Sequence, residues 1–210
     1  VAEWVGQPSE ALDAWLSYAK KTNDTASWDT VGRLASGLLN DDALLAYQQQ
    51  LLRHHGDQAL LINNIIQTYE RLGRPDDGLN FLDKLAHQNP NAKLLDAESR
   101  LAERAGQDDR AIKLLTTLIH HNQPQESWVL RLAALYYLRG DLDNAWNTLH
   151  DVEPKMSAQA SGYWQVYAEI SRLLHHESDA LHAYQILTDS DKARSGDLQN
   201  YVTLLQSRDG

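Results

Sequence analysis

The run Ile65-Ile66-Gln67-Thr68-Tyr69-Glu70-Arg71-Leu72-Gly73 decides the fold, because it returns twice along the chain in altered wording. It comes back as Ser99-Arg100-Leu101-Ala102-Glu103-Arg104-Ala105-Gly106, and again as Leu132-Ala133-Ala134-Leu135-Tyr136-Tyr137-Leu138-Arg139-Gly140. Each copy places apolar residues at helical spacing and closes on a glycine. A polar turn follows, then a second helical stretch centred on Ala or Gly. The spacing is regular: Ala145 lies 34 residues after Ala111, Ala180 lies 35 after Ala145, and Pro124 lies 34 after Pro90. Self-similarity at this period belongs to stacked helix pairs, in which each unit buries its apolar face only against its neighbours. The sequence therefore predicts an all-α solenoid.

Working outward, the clearest unit spans 58–91. Ile62, Ile65, Ile66 and Tyr69 form one stripe, Gly73 ends the first helix, and Pro75 opens the second as a first-turn proline. Gly78 takes the small position, Leu82 and Leu85 pack, and Pro90 closes the unit. Further units are expected at 92–125, 126–159 and 160–193, the last with His175 where the turn glycine is usual. An earlier unit at 25–57 is degenerate, and its turn reads as one residue short. Residues 1–24 read as mainly a second helix and 194–210 as a first helix without its second. Both ends are thus expected to be cut from a longer array.

Large residues on one stripe of the first helix, a Gly or Asp turn, a small residue early in the second helix and a closing proline resemble the tetratricopeptide-repeat family. That resemblance implies a right-handed solenoid of stacked antiparallel helix pairs that binds protein partners and is not an enzyme. It also implies that exposed first-helix positions line a concave face. Carried onto this chain, those positions are Asp29 and Arg33; Asn63, Gln67, Glu70 and Arg71; Asp96, Arg100, Glu103 and Arg104; Leu130 and Tyr137; and Gln165, Glu169 and Arg172. The clustered Lys, Arg and Asn of a two-carboxylate clamp for peptide C-termini are not evident among them.

Composition removes several function classes. A net charge of −10 and a pI near 5.3 oppose a nucleic-acid partner, which needs a concentrated basic face. Acidity suits a cationic partner or serves solubility. With no cysteine there is no disulfide, zinc-thiolate site or cysteine nucleophile. No apolar run approaches the roughly 20 residues that span a bilayer.

Residues that carry chemistry elsewhere have structural readings here. The pairs His54-His55, His120-His121 and His175-His176 are expected to be solvated helix-end residues, because adjacent side chains on a helix diverge too far to share one metal. A pH-sensitive contact is the alternative. The acidic pairs Asp41-Asp42, Asp76-Asp77 and Asp108-Asp109, and Asp141 with Asp143, open second helices. Capping is expected of them rather than acid-base catalysis. Trp15, Trp28, Trp164, Tyr69, Tyr136 and Tyr184 fall on packing positions, whereas Trp4, Trp128 and Trp146 lie off the pattern and are the candidates for a partner or a sugar ring. No phosphate-binding loop, nucleophile elbow or cofactor motif appears, so no cofactor is expected.

Two stretches narrow the resemblance: Ala2-Glu3-Trp4-Val5-Gly6-Gln7-Pro8-Ser9-Glu10-Ala11-Leu12-Asp13-Ala14-Trp15 and Tyr69-Glu70-Arg71-Leu72-Gly73-Arg74-Pro75-Asp76-Asp77-Gly78-Leu79. They are similar to the long repeat arrays of bacterial exopolysaccharide export proteins of the Pel type. This implies a periplasmic scaffold attached to an outer-membrane pore, with a polysaccharide deacetylase or hydrolase as partner. A cationic amino-sugar polysaccharide bound directly is the alternative, and a generic peptide-binding adaptor a third.

Overall fold

The computed structural model describes residues 7–56, 59–88 and 91–208. Among these the chain forms α-helices and one short 3-10 turn, with no strand. Trp4 and Pro90 lie outside the described residues. Two compact units divide the chain, Val1–Gly106 and Gln107–Gly210.

The first unit holds α1 (Pro8–Thr22), α2 (Thr25–Gly37), α3 (Asp41–His55), α4 (Ala59–Arg71), α5 (Pro75–Gln88) and α6 (Ala92–Arg104). Each helix packs on the next, and α4 also touches α6. The apolar positions read from the sequence face inward: Ala11, Leu12, Val31 and Ala35 join α1 to α2, and Ile62, Ile65, Ile66 and Tyr69 fix α4. Each large apolar side chain removed from water contributes about 1.5–3 kcal/mol. Gly32 makes room rather than flexibility: a Cβ there would sit 2.5 Å from the Tyr47 ring.

The second unit holds α7 (Asp108–His121), α8 (Glu126–Leu138), α9 (Leu142–His150), a 3-10 turn (Glu153–Lys155), α10 (Ser161–Leu173), α11 (Glu177–Asp189) and α12 (Ser195–Arg208). Its core is more aromatic. Tyr163, Trp164 and Tyr167 are buried, and each polar tip finds a partner. Tyr163 Oη donates to the Leu149 carbonyl at 2.7 Å, Trp164 Nε1 donates to the Ser157 carbonyl at 2.9 Å, and Tyr167 Oη lies 2.8 Å from His150 Nδ1. Burial pushes the phenols of Tyr163 and Tyr167 well above the ordinary tyrosine value.

One turn geometry recurs inside the helix pairs. Gly73, Gly106 and Gly140 have φ of 64°, 70° and 74°, the left-handed conformation that ends a helix. Leu39 and His175 take the same conformation at φ of 53° and 58°. The next residue's amide bonds back five residues, Arg74 to Tyr69, Asp141 to Tyr136, His176 to Ser171 and Asn40 to Ala35. The turn at 38–40 is therefore as long as that at 72–74, not one residue short. Its disguise is chemical, since a leucine stands where the pattern wants glycine.

The acidic pairs sit at the helix starts as expected, but not all of them cap. Asp141 does cap its helix, accepting the Asn144 amide, but α3 is capped by Asn40, and Gln107 before α7 makes no side-chain cap bond. Asp41, Asp42, Asp76, Asp77, Asp108 and Asp109 sit inside the first turn, where they complement the positive helix end. Several also receive an arginine from elsewhere in their unit.

Candidate partner-binding groove

In the second unit α8 packs on α10, and the chain entering α12 closes one side of an open groove of about 680 Å³. The groove needs α8 and α10 to lie close together, and two residues arrange that. Ala160, which precedes α10, has no capping side chain. Glu126 at the start of α8 supplies the missing acceptor, its Oε1 taking the Tyr163 amide at 3.0 Å. Gly162 admits this carboxylate, because a Cβ there would lie 2.8 Å from Glu126 Oε1 and 3.3 Å from Leu130 Cδ1.

Leu130, Ala133, Ala134, Val166 and Ile170 give the groove an apolar floor. Tyr137, half exposed, and Gln165 stand on its rim with Arg194 and Asp197. Asp197 Oδ2 accepts the Arg194 amide at 2.8 Å, which ties the backbone at the groove's edge. Glu169 lines one end and is gripped through both oxygens by Arg172, at 2.6 and 3.0 Å. That hydrogen bond raises the Arg172 guanidinium above its ordinary value. An apolar trough with an aromatic ring, an amide and an arginine at the edge suits a polypeptide segment bearing apolar side chains.

Of the residues nominated from the sequence, Leu130, Tyr137, Gln165 and Glu169 come together here, with Arg172 behind Glu169. In the first unit Asp29, Arg33, Asn63 and Gln67 are exposed. Glu70 pairs with Arg104 at 2.7 Å, Arg71 with Asp41 at 2.7 Å, and Asp96 with Arg100 at 2.9 Å. Glu103 is half-buried. Those ions engage one another, so the first unit offers a less free surface than its residue types promised. Ala133, Ala134, Gly162, Val166, Arg194 and Asp197 escaped the sequence reading. The adjacent small residues Ala133-Ala134 and the isolated Gly162 were the signal available for the floor.

The tryptophans and histidines sort unexpectedly. Trp128 is buried, and Trp146 is half-buried, stacked on His150 at 4.4 Å and edge-on to His176 at 4.5 Å. Neither presents a free ring. Trp15, expected to pack, is 37% exposed and meets Tyr18 edge to face at 6.1 Å. His54, His55, His120 and His121 end their helices in solvent, but His175 forms a left-handed turn and half-buried His176 precedes α11. No group of three or more His, Cys, Asp or Glu among the described residues is arranged to hold a metal. No described helix is long and apolar enough to cross a membrane.

The tetratricopeptide repeat family matches residues 117–210, which contain the whole groove. That match lies in the second unit, and the chain as a whole has the fold of tetratricopeptide-repeat solenoids. A chain in the structure of Naa15/Naa10 bound to HypK-THB is similar in fold, with a TM-score of 0.62 and 15% identity over 98% of this chain. This chain spans 32% of that one. MamA from Desulfovibrio magneticus RS-1 superposes with a TM-score of 0.52 at 19% identity, over 73% of this chain and 87% of that one. YrrB, a tetratricopeptide-repeat protein with an unusual peptide-binding site, gives 0.51 at 12% identity, over 95% of this chain and 100% of that one. At these identities the likeness is one of fold. No curated protein matches the chain in sequence.

Proposed function

We propose that this tetratricopeptide-repeat chain is a non-catalytic docking scaffold whose α8/α10/α12 groove receives an apolar segment of a partner polypeptide. The apolar trough itself carries this reading. Its floor is continuous, and its rim supplies a tyrosine and an arginine, the residue types that anchor protein interfaces most strongly.

The finer proposal is that the scaffold works in the periplasm, in Pel-type exopolysaccharide export, and that its partner is a polysaccharide deacetylase or hydrolase held near the outer-membrane pore. It rests on the two short stretches quoted above. A direct contact with a cationic amino-sugar polysaccharide is the second reading. The net charge of −10 favours it, while the burial of Trp128 and the enclosure of Trp146 take away the rings that would stack on sugars. Capture from periplasmic extract tests the finer proposal, with Ala134→Arg as the groove-blocked control. Retention of a polysaccharide-modifying enzyme by the natural chain alone supports it. Equal retention by both, or recovery of no such enzyme, counts against it.

A further inference from the structure

A second pocket, of about 340 Å³, opens between α7 and α9 with α8 beneath it, and it shares no residue with the groove. An irregularity in the repeat builds it. α9 stops after 9 residues, whereas α3, α5, α7 and α11 run 13 to 15. The chain then passes through Asp151 and Val152 into the 3-10 turn that holds Pro154, a residue unable to continue an α-helix. The early stop brings Asp151, Val152 and Lys155 into the pocket wall.

The lining has two characters. Ile119, Leu132 and Val152 are buried and give an apolar floor, with Tyr136 beside them. Around it stand Thr116, His120, Asn147, Asp151 and Lys155, whose side chains bond to none of the described residues. Carboxamides and hydroxyls both donate and accept, so they match groups that do the same. The ammonium of Lys155 and the carboxylate of Asp151 oppose each other in sign, which disfavours an anion and a cation alike. A purely apolar ligand would strand the polar rim without partners. Together these features suit a neutral, hydroxyl-rich molecule with an apolar C–H face, and the pocket is at the small end of the usual range for small ligands.

We infer that this pocket binds one neutral sugar residue, either a free sugar or the end of a glycan. The groove reading does not depend on it.

The test is a titration of the full isotope-labelled chain by NMR. The probes are neutral methyl glycosides (glucoside, galactoside, N-acetylglucosaminide), their uronic-acid and 2-amino counterparts, and short oligosaccharides ending in the same residues. A neutral glycoside is expected to shift the Asn147 carboxamide and Thr116 amide signals saturably. Asn147→Ala and Thr116→Val are expected to weaken that binding about tenfold each. Neither side chain has a partner among the described residues, so an unchanged melting temperature separates lost binding from lost folding. Oligosaccharides that bind at least as tightly as the free glycoside assign the ligand to glycan ends, and weaker binding assigns it to free sugars. The inference is overturned if no neutral glycoside shifts these signals, if the variants bind unchanged, or if the charged counterparts bind more tightly.

Discussion

Arg71, the last residue of α4, grips Asp41, the first residue of α3, through three hydrogen bonds: Nη2 lies 2.7 Å from Oδ1, and Nε lies 3.0 Å from Oδ2 and 3.1 Å from Oδ1. The second unit repeats the relationship 30 residues apart, with Arg139 Nη1 2.6 Å from Asp109 Oδ1. An arginine leaving one first helix thus returns to the start of the preceding second helix. There it adds an ionic tie to the first-turn carboxylates already favoured by the helix dipole.

Asp41 therefore gives a pH signature. The Arg71 hydrogen bond holds its carboxyl below the ordinary value of 3.8. A group lowered in this way stabilises the fold above its unfolded value, and the contribution is lost as pH falls through the lower folded value. Asp41→Asn should cost less than about 1 kcal/mol at neutral pH, because the pair is solvent-screened. Urea unfolding of both proteins over a pH series should show the difference vanish in acid, and shrink in molar salt.

Leu39 and His175, two of the four left-handed residues that are not glycine, are removable strain. Leu39 is 88% exposed at φ of 53°, so glycine there loses little contact and releases a conformation that costs an L-residue about 1–2 kcal/mol. Leu39→Gly and His175→Gly should each raise the urea midpoint by the equivalent of about 1 kcal/mol, while Gly140→Ala should lower it by a similar amount. A fall in stability for Leu39→Gly would contradict the turn assignment.

Glu126 links stability to the groove. Glu126→Ala removes the acceptor for the Tyr163 amide and should cost about 1 kcal/mol, the usual worth of a helix cap. Gly162→Ala should do comparable damage by displacing the same carboxylate, and Glu126→Gln, which keeps an acceptor, should do less. Thermal denaturation of the three variants checks the order.

Tyr163 and Tyr167 predict alkaline behaviour. Burial raises both phenols, so their contribution is complete below the ordinary value of 10 and is lost as pH rises through the folded values. Absorbance titration should find two phenols that ionise only as the helices melt. Tyr163→Phe forfeits the bond to the Leu149 carbonyl and should cost about 1 kcal/mol at neutral pH.

The sequence showed the helix pairs clearly, because period, turn glycines and apolar stripes all report the same backbone. Leu39 concealed the length of one turn, since left-handed backbone is most legible where glycine or asparagine marks it, whereas the repeat period placed His175 at its turn without a glycine. The candidate site was half legible. Leu130, Tyr137, Gln165 and Glu169 follow from counting along first helices. Arg194 and Asp197 enter from the approach to a later helix, and no count within one helix finds them. The charged positions of the first unit hold a relationship that no count along one helix reveals. Glu70 and Arg104, or Arg71 and Asp41, look like free binding groups until the stacking of helix pairs brings them together.

The most direct test selects binders from a random peptide library against the full chain. Their affinities are then compared for the natural chain, Ala134→Arg and Arg104→Ala. Ala134 is an exposed position on the groove floor, and arginine is a good helix former, so the substitution fills the trough without opposing the helix. The groove account predicts selected peptides rich in apolar residues, with binding weakened about thirtyfold by Ala134→Arg and unchanged by Arg104→Ala. Binding that survives Ala134→Arg but is lost with Arg104→Ala would contradict it and move the docking surface to the first unit.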